Sequence, residues 1–230
     1  MSINYQRALE DSFDYTRDAL RGGLVRWLQL IACIVVFPLI YGYFVRIMRG
    51  DAPDLGGWGR LFSDGLKLLV VYLAYIGLML LAATALMGGA GILGGQGLVA
   101  AVAALAAFVF FLVIWLVMQM AAVRFAKTGS LRAAFDIPAV LAQIRTIGWG
   151  SYIFSQIILQ LVLMIFTMVL VFLVVTVAGI VGLFAGIVGI LLVPVLMLAV
   201  SLAIYIFQYR YNTLVYESGE ATSGFPPVTA

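Results

Sequence analysis

Asp64 and Asp136 each follow an aromatic residue closely, in Phe62-Ser63-Asp64 and Phe135-Asp136, and are the first carboxylates to weigh as acid–base groups. A general acid or base needs a convergent partner within hydrogen-bond reach. This chain has no histidine and one cysteine, Cys33, inside an apolar run. Imidazole chemistry and paired thiols are therefore excluded by count, and Cys33 reads as a small buried hydrophobe. Arg60 and Lys67 flank Asp64 at helical spacing, which predicts ion pairs along one helix. Asp136 stands before Ile137-Pro138, which predicts a structural N-cap with proline in the first helical turn. No catalytic, metal-binding or cofactor-binding residue is assigned. Enzymatic activity stays open, with a non-enzymatic role the favoured reading.

Four cations have a suggestive spacing. Arg46 and Arg49 lie three apart, as do Arg124 and Lys127, so each pair shares one helix face. Near an anionic surface each such charge adds about 1 kcal/mol of attraction. They are candidate contacts for anionic lipid headgroups or an acidic partner, or they merely fix topology. Gln119, Gln156, Gln160 and Gln208 are candidate intramembrane polar contacts. Gln156 and Gln160 are four apart, with Ser155 beside them. Such side chains hydrogen-bond between helices, each bond contributing about 0.6–2 kcal/mol. A polar path for a solute is the alternative use. Gly89-Ala90-Gly91-Ile92-Leu93-Gly94 matches the dinucleotide fingerprint literally. It lacks the strand and the following acid that the fingerprint requires, so it reads as a tight turn.

The elements that position these residues follow from the charges. Every charged residue lies within 1–26, 46–67, 124–145 or 210–220, and residues 68–123 and 146–209 carry none. The chain is 65% hydrophobic with a mean hydropathy of +1.16. A bilayer core explains the uncharged runs, because a charge at its centre costs about 2.5–3.5 kcal/mol or more. One helical crossing needs about 20 apolar residues, so each run holds two crossings and a turn. The expected architecture is all-α and polytopic, within one membrane domain over 1–216. Its parts are an interfacial helix over 1–21, a first apolar segment over 24–48, a hairpin over 67–123, a second interfacial helix over 131–147 and a hairpin over 150–212. A disordered tail is expected over 217–230.

Further detail comes from periodicity. Tyr5, Leu9, Phe13, Thr16 and Leu20 share one helix face, as expected of a helix lying in the interface. Ile137, Val140, Leu141 and Ile144 are expected to face lipid. The turns are expected over 88–97 and 178–189. Small residues at Ala100, Ala103, Ala104 and Ala107, and at Gly182 and Gly186, have the spacing that lets helices approach closely.

Lys and Arg fall in all four charged segments and in neither glycine-rich turn. If every basic segment is cytoplasmic, both hairpins cross out and back. Residues 1–26 and 46–67 then share a side only if 24–48 enters and returns, with Pro38 as the break. A single tilted crossing is the alternative. A short internal similarity points the same way. Val45-Arg46-Ile47-Met48-Arg49-Gly50 is echoed by Val123-Arg124-Phe125-Ala126-Lys127-Thr128-Gly129, each followed by an aromatic-acid pair, and Phe13-Asp14 is a third instance of such a pair.

Several blocks carry a family resemblance. They are Gly42-Tyr43-Phe44-Val45-Arg46, then Trp58-Gly59-Arg60-Leu61-Phe62-Ser63-Asp64-Gly65-Leu66-Lys67, then Arg124-Phe125-Ala126, Gly129 and Ala134-Phe135-Asp136. The chain resembles the domain-of-unknown-function 4013 family of archaeal and bacterial multi-spanning membrane proteins, over nearly its whole length to about residue 216. The resemblance implies a membrane location and a fold unit, and brings no catalytic residue.

The expected function is that of an integral cell-membrane protein with its charged loops cytoplasmic. Its partners would be the lipid bilayer, anionic headgroups included, and a second copy or another membrane protein. A role in membrane assembly is favoured. A small transporter or channel is the alternative, and a lipid-acting membrane enzyme the second alternative. The net charge of +3 gives no case for nucleic acid.

Overall fold

A computed structural model describes residues 3–21, 24–51, 55–92 and 97–223. All regular structure among them is helical: α1 Tyr5–Leu20, α2 Leu24–Val35, α3 Phe37–Arg49, α4 Trp58–Ile92, α5 Leu98–Thr128, α6 Leu131–Phe135, α7 Ile137–Ile147, α8 Trp149–Ala185 and α9 Ile187–Ser223. Four spans are long and apolar enough to cross a membrane: Trp58–Ile92, Leu98–Thr128, Trp149–Phe184 and Val193–Glu220. They form two hairpins, α4 with α5 and α8 with α9.

The first apolar segment is broken near its proline. The axes of Gln29–Val35 and Phe37–Arg49 differ by 119°. Pro38 occupies the first turn of α3, where a missing N–H costs nothing. The same residue cannot continue α2, so the break falls at Val36. Val35, Val36 and Phe37 at the bend are exposed. α3 ends at Gly50, whose φ of 84° lets its amide close on the Arg46 and Ile47 carbonyls.

α3 and α4 cross at glycine. A Cβ on Gly42 would fall on the Leu61 carbonyl, and one on Gly65 on the Pro38 carbonyl. Small residues let backbones meet where lipid gives no hydrophobic drive between helices. A comparable contact joins α8 and α9, where a Cβ on Gly189 would sit 2.5 Å from the Ala178 carbonyl oxygen.

Several boundaries differ from expectation. α4 begins at Trp58 and stays helical through Gly88–Ile92, and Gly97 has a φ of 68°. Residues 93–96 of the first turn lie outside the described residues. The second turn is tighter than predicted, with Gly186 alone breaking the helix at a φ of 56°. α9 runs on to Ser223, into the stretch expected to be tail, because Glu217 and Gly219 have partners. Lys127 pairs with Glu217, and Gly219 packs on Ile147. Residues 224–230 lie outside the described residues.

The two peripheral helices bury other faces than periodicity suggests. α1 buries Ala8, Ser12, Thr16 and Ala19, largely against α9, and leaves Phe13 54% exposed. Its small residues permit the close approach, and Ser12 and Thr16 bond back to the Ala8 and Ser12 carbonyls at 2.6 and 2.7 Å. The expected helix over 131–147 is two helices, broken at Asp136. Val140 and Ile144, expected to face lipid, are buried in the core because α7 packs on α9 and α5. Ile137 is exposed and Leu141 half-buried.

Candidate functional site: the charged end and the polar knot beneath it

The four charged segments of the sequence converge on one end of the molecule. Arg210 Nε lies 2.8 Å from Asp11 Oδ1, joining α9 to α1, and its guanidinium stacks over Tyr15 at 5.0 Å. The Tyr15 hydroxyl donates to the Asp51 carbonyl at 3.0 Å. Burial pushes that hydroxyl above its ordinary range, so it remains a neutral donor. Arg49 Nη1 meets Asp64 Oδ2 at 2.7 Å, and Arg49 Nε donates to the Ala126 carbonyl at 2.9 Å. Lys127 pairs with Glu217 and reaches the Arg49 carbonyl at 3.4 Å. These contacts tie together α1, α3, α4, α5 and α9.

The candidate cations therefore have protein partners. Arg49 and Lys127 close ion pairs, and Arg46 donates to the Gly56 carbonyl. Arg124 is half-buried and bonds Tyr216. Asp64 takes Arg49 from α3 as its closest cation, with Lys67 at 3.9 Å, in place of the predicted Arg60 on its own helix. A cation from a neighbouring element can approach head-on, whereas one along the helix is limited by spacing. Asp136 accepts from the Ala139 amide at 3.2 Å, the geometry of an N-cap.

A neutral polar knot adjoins the charged end, at Gln119 one to two turns before Arg124 on α5 and at Asn212 between Arg210 and Glu217 on α9. Gln156 Nε2 donates to Asn212 Oδ1 at 2.9 Å, and Asn212 Nδ2 donates to Gln119 Oε1 at 3.3 Å. One asparagine thus joins α8, α9 and α5. Tyr152 donates to the Leu116 carbonyl at 2.7 Å, and Tyr211 to the Ser155 carbonyl at 3.2 Å. Gln156 Oε1 is buried without a partner. Gln160 points outward and is exposed, and Gln208 is half-buried, so neither enters the knot. Beyond it the buried side chains of α8 are apolar: Leu159, Leu163, Val174 and Ala178.

Sequence reasoning named Gln119 and Gln156 but missed Asn212, the residue that joins them. The available signal was its position two residues past Arg210, on the last turns of an apolar run. It also missed Asp11 with Arg210 and Lys127 with Glu217, which only tertiary packing brings together. Chemically, the knot can accept and donate hydrogen bonds, and the charged end can neutralise or attract ions. Among the described residues no group of three or more His, Cys, Asp or Glu side chains could hold a metal ion.

Four apolar spans crowned by a charged end define a polytopic α-helical membrane protein. The family described as protein of unknown function (DUF4013) matches residues 27–175, and the chain belongs to it. The match begins in α2 and ends within α8, leaving α1 and α9 outside it. No curated protein and no solved structure matches the chain.

Proposed function

We propose that this protein is a non-enzymatic assembly component of a cell membrane, oriented with its charged end in the cytoplasm. The observation that carries the reading is how its two hairpins meet. They contact each other chiefly through α5 and α9, and the buried part of α5 is confined to Val117–Ala126, beside the charged end. The outer parts expose Phe108, Val109 and Phe111 on α5 and Phe166, Met168 and Phe172 on α8. A rigid charged base thus carries two arms with large side chains available to neighbouring helices. The partner is a second copy or another membrane protein.

Cysteines placed singly at Phe111 and Phe172, with Cys33 replaced by serine, test this in native membranes. Cross-linked products containing a second copy or a partner chain are expected at both positions. Cross-linking at neither, at native expression levels, would remove the assembly reading.

The unpartnered Gln156 Oε1 favours a second reading, a small transporter whose substrate supplies the missing donor. Solute flux into liposomes that is abolished by Gln156→Leu would establish it.

A further inference from the structure

We propose that the cleft between the bent α2–α3 segment and α9 binds one acyl chain of a membrane phospholipid, with Tyr41 and Tyr205 donating to the oxygens that join the chain to its glycerol. This rests on the membrane location alone and is independent of the assembly role. The cleft has a volume of about 180 Å³. Its walls are Ile34, Phe37 and Ile40 on one side and Leu198 and Leu202 on the other. Phe44 also lines it, 4.6 Å from the stacked ring of Tyr209.

Four lining side chains carry hydroxyls, and two are engaged within the protein. The Ser201 hydroxyl donates to the Met197 carbonyl at 2.8 Å, and the Tyr209 hydroxyl accepts from that of Tyr72 at 3.0 Å. The other two, Tyr41 and Tyr205, flank Phe44, with ring centroids 5.9 and 5.7 Å from it. Tyr205 is 48% exposed. Tyr41 precedes Arg46 by five residues and Tyr205 precedes Arg210 by five. At 1.5 Å per residue each lies about 7.5 Å along its helix from that arginine. That is the zone where tyrosine is enriched in membrane proteins and where lipid chains meet their glycerol.

Polar complementarity selects the occupant. Tyr41 and Tyr205 lie on the charged-end side of a cleft whose other walls are apolar. A phospholipid chain has the same division, with ester oxygens that accept at one end and hydrocarbon along the rest, whereas a membrane-spanning helix satisfies its backbone carbonyls internally. Water is disfavoured because the lining offers few polar groups.

The test is native mass spectrometry of the full chain released from nanodiscs of mixed phosphatidylcholine and phosphatidylglycerol. Leu198→Trp and Ile34→Trp fill the cleft from opposite walls. Leu198 is 47% exposed, so the larger ring can be accommodated. Leu105→Trp, on the exposed face of α5, is the control. Wild type and Leu105→Trp are expected to retain one phospholipid more than either cleft variant. Tyr41→Phe with Tyr205→Phe, which preserves shape, should lower the retained fraction roughly tenfold, as expected for lost hydrogen bonds. Equal retention in wild type, Leu198→Trp and Ile34→Trp overturns the proposal. So does a wild type that retains no phospholipid. If the tryptophan variants fail to fold, an unchanged retained fraction in the tyrosine pair overturns it alone.

Discussion

The hydroxyl of Tyr15 donates to the carbonyl of Asp51 at 3.0 Å, across an apolar segment that begins and ends between them. The residues that flank 24–48 on either side therefore meet at the charged end, which supports entry and return over a single crossing. The bond accords with the 119° bend near Pro38 and with ion pairs that gather the charged segments at one end. It gives the entering and returning path a physical basis beyond the counting of basic residues.

Topology is directly measurable. In a Cys33→Ser background, single cysteines replacing Asn4 and Asp51 should both be protected from an impermeant thiol reagent applied outside cells. Cysteines replacing Leu98 and Ile187, which are 79% and 69% exposed beside the two turns, should react. Reaction at position 51 with protection at position 4 would mean that the first apolar segment crosses once.

Packing at Gly65 makes a sharper stability prediction. A methyl group there meets the Pro38 carbonyl, a backbone atom that cannot rotate away. Gly65→Ala should destabilise by about 1–3 kcal/mol or more, read as a lowered thermal midpoint in detergent. Gly59→Ala, where nothing lies within 4 Å, serves as the neutral comparison.

The Arg49–Asp64 pair is 28% and 17% exposed, which makes it more than a surface pair. Asp64→Ala should cost about 1.5–3 kcal/mol, because it strands a half-buried guanidinium. Arg49→Ala should cost a similar amount. Thermal midpoints of both variants and of the double variant give the coupling, and strict additivity would show that the contact contributes nothing.

The polar knot should respond unequally. Asn212→Leu leaves the amides of both Gln119 and Gln156 without their partner and should cost about 1–3 kcal/mol. Gln156→Leu also removes an unpaired acceptor, so its cost should be smaller. Equal losses of thermal stability would contradict the pairing geometry.

Asp136 tests the cap. Asn also caps well, so Asp136→Asn should be nearly neutral, while Asp136→Ala should lower stability by about 0.5–2 kcal/mol. A measured activity lost in the Asn variant at unchanged stability would show that the charge itself acts.

The arrangement of the spans was legible because two residue runs without charge admit few other environments. Pro38 also announced its break, since a missing donor acts locally wherever the chain goes. The peripheral helices were less legible. Periodicity found an apolar stripe on α1 and α7, but a stripe does not say whether lipid or protein covers it. Val140 and Ile144 look lipid-facing until α9 is placed against them. The Asn212 junction was hidden for a related reason. A lone polar side chain acquires its meaning from helices far away in sequence, and Gln119 and Gln156 reach it only through the fold.

The short reach of the bent segment has a mechanical consequence. Helices of 12 and 13 residues are about 18 and 20 Å long. Tilted by their mutual bend, they fall short of a hydrocarbon core about 30 Å thick. If the segment enters and returns on one side, α2 and α3 would displace lipid from a single leaflet. The protein would then act as a wedge, and each inserted copy would expand one monolayer relative to the other, a difference that a relaxed bilayer accommodates by bending.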